Sequence, residues 1–200
     1  MLKTRIAVFV SGGGTNLQAL IDAQLRGEIP SGEIALVLAS NDGAYALTRA
    51  EQNNIASVVV KRKNFDTQDA YEAHVKEVMA EHNIDMIVLA GFMSILGEGF
   101  TSAYPKRIVN VHPALIPSFC GKGFYGLHVH EAALEYGVKV TGATVHYVNE
   151  IPDGGEIILQ KAVEILDGDT PEVLQKRVME EAEWILLPKA VELVAKKLKQ

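Results

Sequence analysis

Asn110 and His112 stand two residues apart in Ile108-Val109-Asn110-Val111-His112-Pro113, a β-branched run that ends at a proline. Alternate side chains of a strand share a face, so an amide and an imidazole sit side by side, about 6.5 to 7 Å apart along the backbone. An amide N–H can hold a developing oxyanion, and an imidazole exchanges protons near neutral pH. Pro113 ends the ladder and holds His112 extended, which puts the pair at a strand's mouth, where open α/β sheets bind ligands. The competing reading is a capped strand end with a satisfied histidine. Asp153 follows in Ile151-Pro152-Asp153-Gly154-Gly155; it reads either as a catalytic carboxylate or as an ordinary turn cap.

Ser11-Gly12-Gly13-Gly14-Thr15-Asn16 turns an apolar run into a helical pattern carrying Leu17, Leu20 and Ile21. Glycines let backbone approach a ligand, and the first helical N–H groups carry positive partial charge, so this is a cradle for an anion. The Walker ending is absent, and Leu17 stands where a dinucleotide fingerprint needs its third glycine. A purely structural tight turn remains the alternative. Gly91-Phe92-Met93-Ser94-Ile95-Leu96-Gly97 is an apolar loop suited to a flat heteroaromatic ring, or to ordinary core. Pro117 to Gly126, with three glycines and two exposed-looking aromatics, reads as a mobile functional loop. Asp42 has the place of a ribose-binding acid, yet Asn41-Asp42-Gly43 is equally good turn chemistry. His128 and His130, two apart on a helix, diverge and do not make a metal pair.

Strands are expected over Arg5–Val10, Glu33–Ala39, Ala56–Val60, Ile84–Ala90, Lys139–Val148 and Glu156–Val163, besides the run ending at His112. Helices are expected over Asn41–Asn53, from an Asp66/Asp69 cap to about Glu81, from Leu127, and from Thr170-Pro171 through Trp184 towards Pro188. Strand and helix alternate, so the chain is α/β: a doubly wound, mostly parallel sheet with a Rossmann-like N-terminal half and an antiparallel addition near the C-terminal half. Two hundred residues suit one domain, 1–200. A net charge of -6, with no basic run longer than Lys61-Arg62-Lys63, disfavours nucleic acid as a partner. One cysteine, Cys120, permits no internal disulfide and fits a cytoplasmic setting. No apolar run is long enough to span a bilayer.

Taken together the motifs resemble the phosphoribosylglycinamide formyltransferases, folate-dependent enzymes of purine synthesis. Ser11-Gly12-x-Gly14-Thr15-Asn16-Leu17-Gln18, Leu89-Ala90-Gly91-Phe92-Met93 and Asn110-Val111-His112-Pro113-x-Leu115-x-Pro117 carry the resemblance. Gly142-x-Thr144-Val145-His146 and Asp153-Gly154-Gly155-x-Ile157-Ile158-Leu159-Gln160 complete it. The central and Asp153 motifs mark the wider formyltransferase group, including methionyl-tRNA formyltransferase; the opening motif selects the glycinamide branch.

The resemblance implies a formyltransferase fold and, as activity, formyl transfer from 10-formyltetrahydrofolate to the amine of glycinamide ribonucleotide. By it Gly14, Thr15 and Asn16 hold the ribose phosphate, and Glu183 receives the substrate amine, with a one-residue shift in its helix. Met93, Ser94, Ile95 and Leu96, with Asn110 and the Asn149 to Asp153 loop, enclose the pterin. Ser94 and Gln68 depart from the common pattern, which leaves the folate-tail contacts open, and the Cys120 to Gly126 loop is longer than in some relatives. Asn110, His112 and Asp153 are the catalytic set: a donor for the oxyanion, a proton carrier, and a carboxylate that orients the imidazole and raises its pKa. No metal and no nicotinamide is expected, and the partners are the two small-molecule substrates, with the chain a monomer or homodimer. The rivals are formyl transfer to another amine such as that of an aminoacyl-tRNA, a nicotinamide-dependent oxidoreductase, and a binding module without catalysis.

Overall fold

The computed structural model describes residues 2–200 and is built around a seven-stranded sheet. In chain order the elements are β1 (Thr4–Val10), α1 (Thr15–Leu25), β2 (Gly32–Ala39), α2 (Ala46–Gln52), β3 (Ala56–Val59), α3 (Gln68–Glu81), β4 (Met86–Leu89) and the short α4 (Glu98–Thr101). Then follow β5 (Ile108–His112), α5 (Leu127–Tyr136), β6 (Val140–Tyr147), β7 (Ile157–Glu164), α6 (Pro171–Val178) and α7 (Trp184–Lys197). The strands lie in the order β3-β2-β1-β4-β5-β6-β7. The first five pair in parallel, while β6 runs antiparallel to β5 and β7 antiparallel to β6.

Why the strands read as unbroken apolar runs is visible in β1. Ile6, Val8 and Val10 enter a core shared with Leu17, Leu20, Leu187 and Val191, whereas Ala7 and Phe9 enter a second core with Tyr71, Val75 and Phe100. Both faces are covered, so neither set of alternating side chains can be polar. A fully buried side chain the size of Phe9 contributes roughly 1.5 to 3 kcal/mol. The sheet order turns back between β1 and β4, and their C-terminal ends open the crevice where such sheets take ligands.

Several boundaries differ from the sequence reading. The helix expected from Asn41 begins only at Ala46, because Asn41 Oδ1 accepts the Gly43 N–H at 3.0 Å and closes a local turn. Thr67, not Asp66 or Asp69, caps α3, accepting the Ala70 N–H at 3.1 Å. Thr170 caps α6 with Pro171 at its first position. The helix from Thr170 is not uniform: Met179–Glu183 form a π turn, and α7 passes through Pro188 to Lys197. The Trp184 carbonyl, which a proline ring four residues on would meet, is tilted by a ψ of -11°.

Candidate active site

The β5/β6 register builds the site. Asn110 pairs with His146 and His112 with Thr144, so four polar side chains face one another across two antiparallel strands. Asn110 Nδ2 lies 3.2 Å from His146 Nε2, and His146 Nδ1 lies 2.8 Å from the Tyr147 carbonyl oxygen. Because that carbonyl can only accept, His146 Nδ1 carries the proton and Nε2 accepts from Asn110. Asp153 closes the cluster from the β6–β7 connection. Its Oδ1 lies 3.4 Å from Asn110 Nδ2 and 3.5 Å from His146 Nε2, and its Oδ2 lies 3.6 Å from His112 Nδ1.

The glycines after Asp153 are required locally. A Cβ on Gly155 would overlap the Tyr147 carbonyl, so only glycine lets the returning chain pass that close. Asp153 itself is left-handed, with φ 56°. The loop after β5 folds over the same cluster: the Phe119 carbonyl is 2.8 Å from His112 Nε2, and the Gly121 N–H donates to Asp153 Oδ2 at 2.8 Å. Phe119 packs edge-on with Phe124 and Tyr136, and of the loop's aromatics only Tyr125 is mostly exposed. Under the loop, buried Thr144 donates from Oγ1 to the Ala114 carbonyl at 2.7 Å. It also accepts from the Ile116 N–H at 3.1 Å and from Gln160 Nε2 at 2.9 Å.

Burial reverses one expectation. The pKa of His112 lies below its ordinary value, because burial outweighs the upward pull of Asp153 and of the Phe119 carbonyl. Its two nitrogens face a carboxylate and a carbonyl, both acceptors, so the charged form satisfies both contacts while burial favours the neutral one. For Asp153, burial raises the pKa, but His146, His112 and the Gly121 N–H together hold it below the usual carboxylate range. Beyond His112, His130 on α5 is fully buried with neither ring nitrogen hydrogen-bonded among the described residues, and burial with His112 as neighbour pulls it to about 4.

Beside this cluster lies a cavity lined by Leu89, Phe92, Ser94, Ile95, Leu96, Asn110, His146 and residues 148–153. Ser94, Ile95, Leu96 and Asn110 therefore share one wall, as the sequence reading had them. Met93 does not. The residue is 58% exposed, and it contributes instead a backbone N–H to Ser11 Oγ at 2.9 Å. That bond fastens the apolar loop after β4 to the glycine turn after β1, so the two candidate ligand sites abut.

The turn has the expected form. Gly14 is left-handed, φ 70°, and opens α1, with Ala46 packed so closely behind it that a Cβ would meet the Ala46 Cβ at 2.7 Å. Asn16, the second residue of α1, donates from Nδ2 to Glu183 Oε2 at 2.7 Å, while Asn16 Oδ1 is buried without a partner among the described residues. Glu183, 6% exposed, is pushed up to about 7 by burial, against the pull of Asn16. The π turn ending at Glu183 accommodates one residue more than an α turn. It gives a structural place to the one-residue shift noted in the sequence.

Asp42, the alternative ribose acid, is ion-paired with Lys61 at a local turn. The residue the sequence reading left without a role is His146. Its signal was there, since it shares a strand face with Thr144, but the partner across the sheet is fixed only by register.

The formyl transferase family model matches residues 4–191. Phosphoribosylglycinamide formyltransferase of Haemophilus influenzae is 41% identical over 177 residues, 88% of this chain and 81% of that protein. The trifunctional purine biosynthetic protein adenosine-3 of Gallus gallus is 41% identical over 193 residues, 96% of this chain, but the chain spans only 18% of that longer protein. Among solved structures, phosphoribosylglycinamide formyltransferase from Bacillus halodurans superposes with a TM-score of 0.88 at 39% identity, covering 96% of each chain. A match over nearly the whole sheet, at such identities, leaves one assignment: the chain belongs to the formyl transferase family.

Proposed function

We propose that this protein transfers a formyl group from 10-formyltetrahydrofolate to the amine of glycinamide ribonucleotide, by direct attack. The observation that carries the reading is the convergence of Asn110, His112 and Asp153 at the edge of an apolar cavity that adjoins the glycine turn. The cavity's apolar wall, with Asn110 at its end, fits a flat pteridine whose reactive substituent points at the cluster. Gly14, Thr15 and Asn16 take the ribonucleotide phosphate on their backbone N–H groups. Glu183 and the unpartnered Asn16 Oδ1 offer acceptors to the glycinamide N–H groups.

When the amine attacks, a C–N bond forms, the carbonyl electrons move to oxygen, and a negative charge develops there. Asn110 is one donor that holds it, and a protonated His112 is the other once its Nε2–H exchanges the Phe119 carbonyl for the oxyanion. The 3.4 Å bond from Asn110 to Asp153 is the longest hydrogen bond of the cluster and the one a ligand oxygen replaces most readily. As the intermediate collapses, the bond to the folate nitrogen breaks and the proton lost by the attacking amine passes to that nitrogen. Asp153 keeps the imidazolium accessible in a buried place, and no protein nucleophile is needed. The test is an assay of purified protein with both substrates, following formylglycinamide ribonucleotide by mass spectrometry. Absence of that product, with the folate bound, sinks the proposal.

A further inference from the structure

The carbonyls of Ser11, Gly12 and Gly13 are all held by one stretch of chain, the segment that leads from β2 into α2. Asn41 Nδ2 donates to the Ser11 carbonyl at 2.9 Å, the Ala46 N–H to the Gly12 carbonyl at 3.2 Å, and Arg49 Nε to the Gly13 carbonyl at 2.8 Å. In a planar trans peptide the N–H points away from the C=O of the same unit. The N–H groups of Gly12, Gly13 and Gly14 are therefore turned away from that segment, and none of them makes a hydrogen bond among the described residues. Space lies beside the turn, since a Cβ on Gly12 or Gly13 would meet nothing within 4 Å.

The two side chains that act as pins are themselves fixed. Asn41 Oδ1 accepts the Gly43 N–H at 3.0 Å, so its amide cannot turn round without losing both bonds. Arg49 Nη1 donates to Gln18 Oε1 at 2.9 Å, Gln18 Nε2 donates to Asp22 Oδ1 at 2.8 Å, and the guanidinium carbon lies 5.2 Å from the centre of the Tyr45 ring. One guanidinium thus ties the glycine turn, α1 and α2 together.

We infer that Asn41 and Arg49 are positioning residues for the substrate's phosphate, holding three successive peptide units so that their N–H groups face it. The inference rests on the proposed activity and adds the residues that set its preference for a phosphorylated substrate. Successive N–H groups on one side of a chain form an anion-binding concavity without any charged side chain. Glycine gives the turn its close approach but also lets a released peptide rotate at little cost. A rotated peptide presents a carbonyl to the phosphate in place of an N–H, so a cradle made of glycines needs pins from outside.

The experiment compares kcat/KM for glycinamide ribonucleotide and for its dephosphorylated ribonucleoside, with the folate saturating. Arg49→Met keeps the bulk of the stem and removes the donors. Asn41→Ser can still accept the Gly43 N–H but is too short to reach the Ser11 carbonyl. Each is expected to raise KM for the ribonucleotide by about tenfold, the size of one well-made hydrogen bond. Values of kcat, of KM for the folate and of kcat/KM for the ribonucleoside should stay within about twofold of wild type. An unchanged preference for the ribonucleotide overturns the inference, and so does a loss equal for both substrates, which would make the two side chains general supports of the fold. An effect of Arg49→Met with none from a folded Asn41→Ser also overturns it, because only the charge of the guanidinium would then be at work. The two variants break separate bonds, so either one decides the matter if the other does not fold. In all these failures wild type still transfers formyl; no transfer by wild type overturns the proposed activity and the inference together.

Discussion

Asn16 and Glu183, 167 positions apart, are joined by a buried hydrogen bond of 2.7 Å. The bond ties the first turn of α1 to the π turn before α7, and it holds a carboxylate that burial has pushed up to about 7. A folded-state pKa above the unfolded one means that stability is full below the unfolded pKa near 4.5 and is lost as pH rises towards 7. Glu183→Gln removes the buried charge and keeps an acceptor for Asn16. The variant is expected to be more stable than wild type at pH 8, by at most about 3 kcal/mol, and equal to it near pH 4. Its KM for glycinamide ribonucleotide should rise, because a substrate amine loses its anionic partner. Urea melts at the two pH values decide it: a variant less stable than wild type at pH 8 means the carboxylate is not the burden the burial implies.

The glycine turn separates two effects that a single substitution would confuse. A side chain at Gly14 meets a left-handed φ and the Ala46 side chain, so even Gly14→Ala should destabilise the fold by about 1 kcal/mol or more. Gly13 has no such constraint, since a Cβ there meets nothing within 4 Å. Gly13→Ala should therefore melt like wild type and raise KM for the ribonucleotide more than KM for the folate. Equal changes in both KM values would remove the phosphate from this turn.

Thr144 is the pin under the loop that carries Phe119 over His112. Its hydroxyl serves three partners while fully buried, and Thr144→Val keeps the shape but strands the Ile116 N–H and the Ala114 carbonyl, while the Gln160 amide keeps its 3.0 Å bond to the Ile116 carbonyl. A cost of about 1 to 3 kcal/mol is expected in denaturant melts, together with a loss of kcat as the loop shifts. A variant as stable and active as wild type would show that Gln160 alone holds the segment.

What could be read from the sequence follows from how local each cause is. The alternation that buries Val109 and Val111 beside Asn110 and His112, and the glycine turn into α1, are decided by neighbours in the chain, and both stand as read. Lying among apolar residues, Met93 is expected in the pocket wall; in the structure it is exposed, and its backbone N–H reaches Ser11 across 82 positions. His146 gains its place from the β5/β6 register, and the His112 pKa from burial under a loop, neither of which spacing encodes. Asp153 was ambiguous for the same reason, since a left-handed turn aspartate and a cluster carboxylate look alike until the second strand is laid beside the first.

Asp153 and Asn110 should fail in different ways. Asp153 pulls the His112 pKa upward against burial, so Asp153→Asn removes that pull and lets the pKa fall further. If protonated His112 holds the oxyanion, the rate declines as pH rises through that pKa. The decline should then begin at lower pH in Asp153→Asn, and the rate near neutrality should drop steeply. Asn110→Ala leaves the carboxylate in place and removes one donor. It is expected to cost about 2.7 to 4 kcal/mol in kcat, with little change in the shape of the pH profile. Both groups act on one transition state and touch each other at 3.4 Å, so the double variant should lose less than the sum of the single losses. Profiles of kcat and kcat/KM from pH 5 to 9 for the three variants separate the roles. Near-wild-type rates in Asp153→Asn would reduce the turn aspartate to a structural cap, and a strictly additive double variant would mean that the two side chains serve different steps.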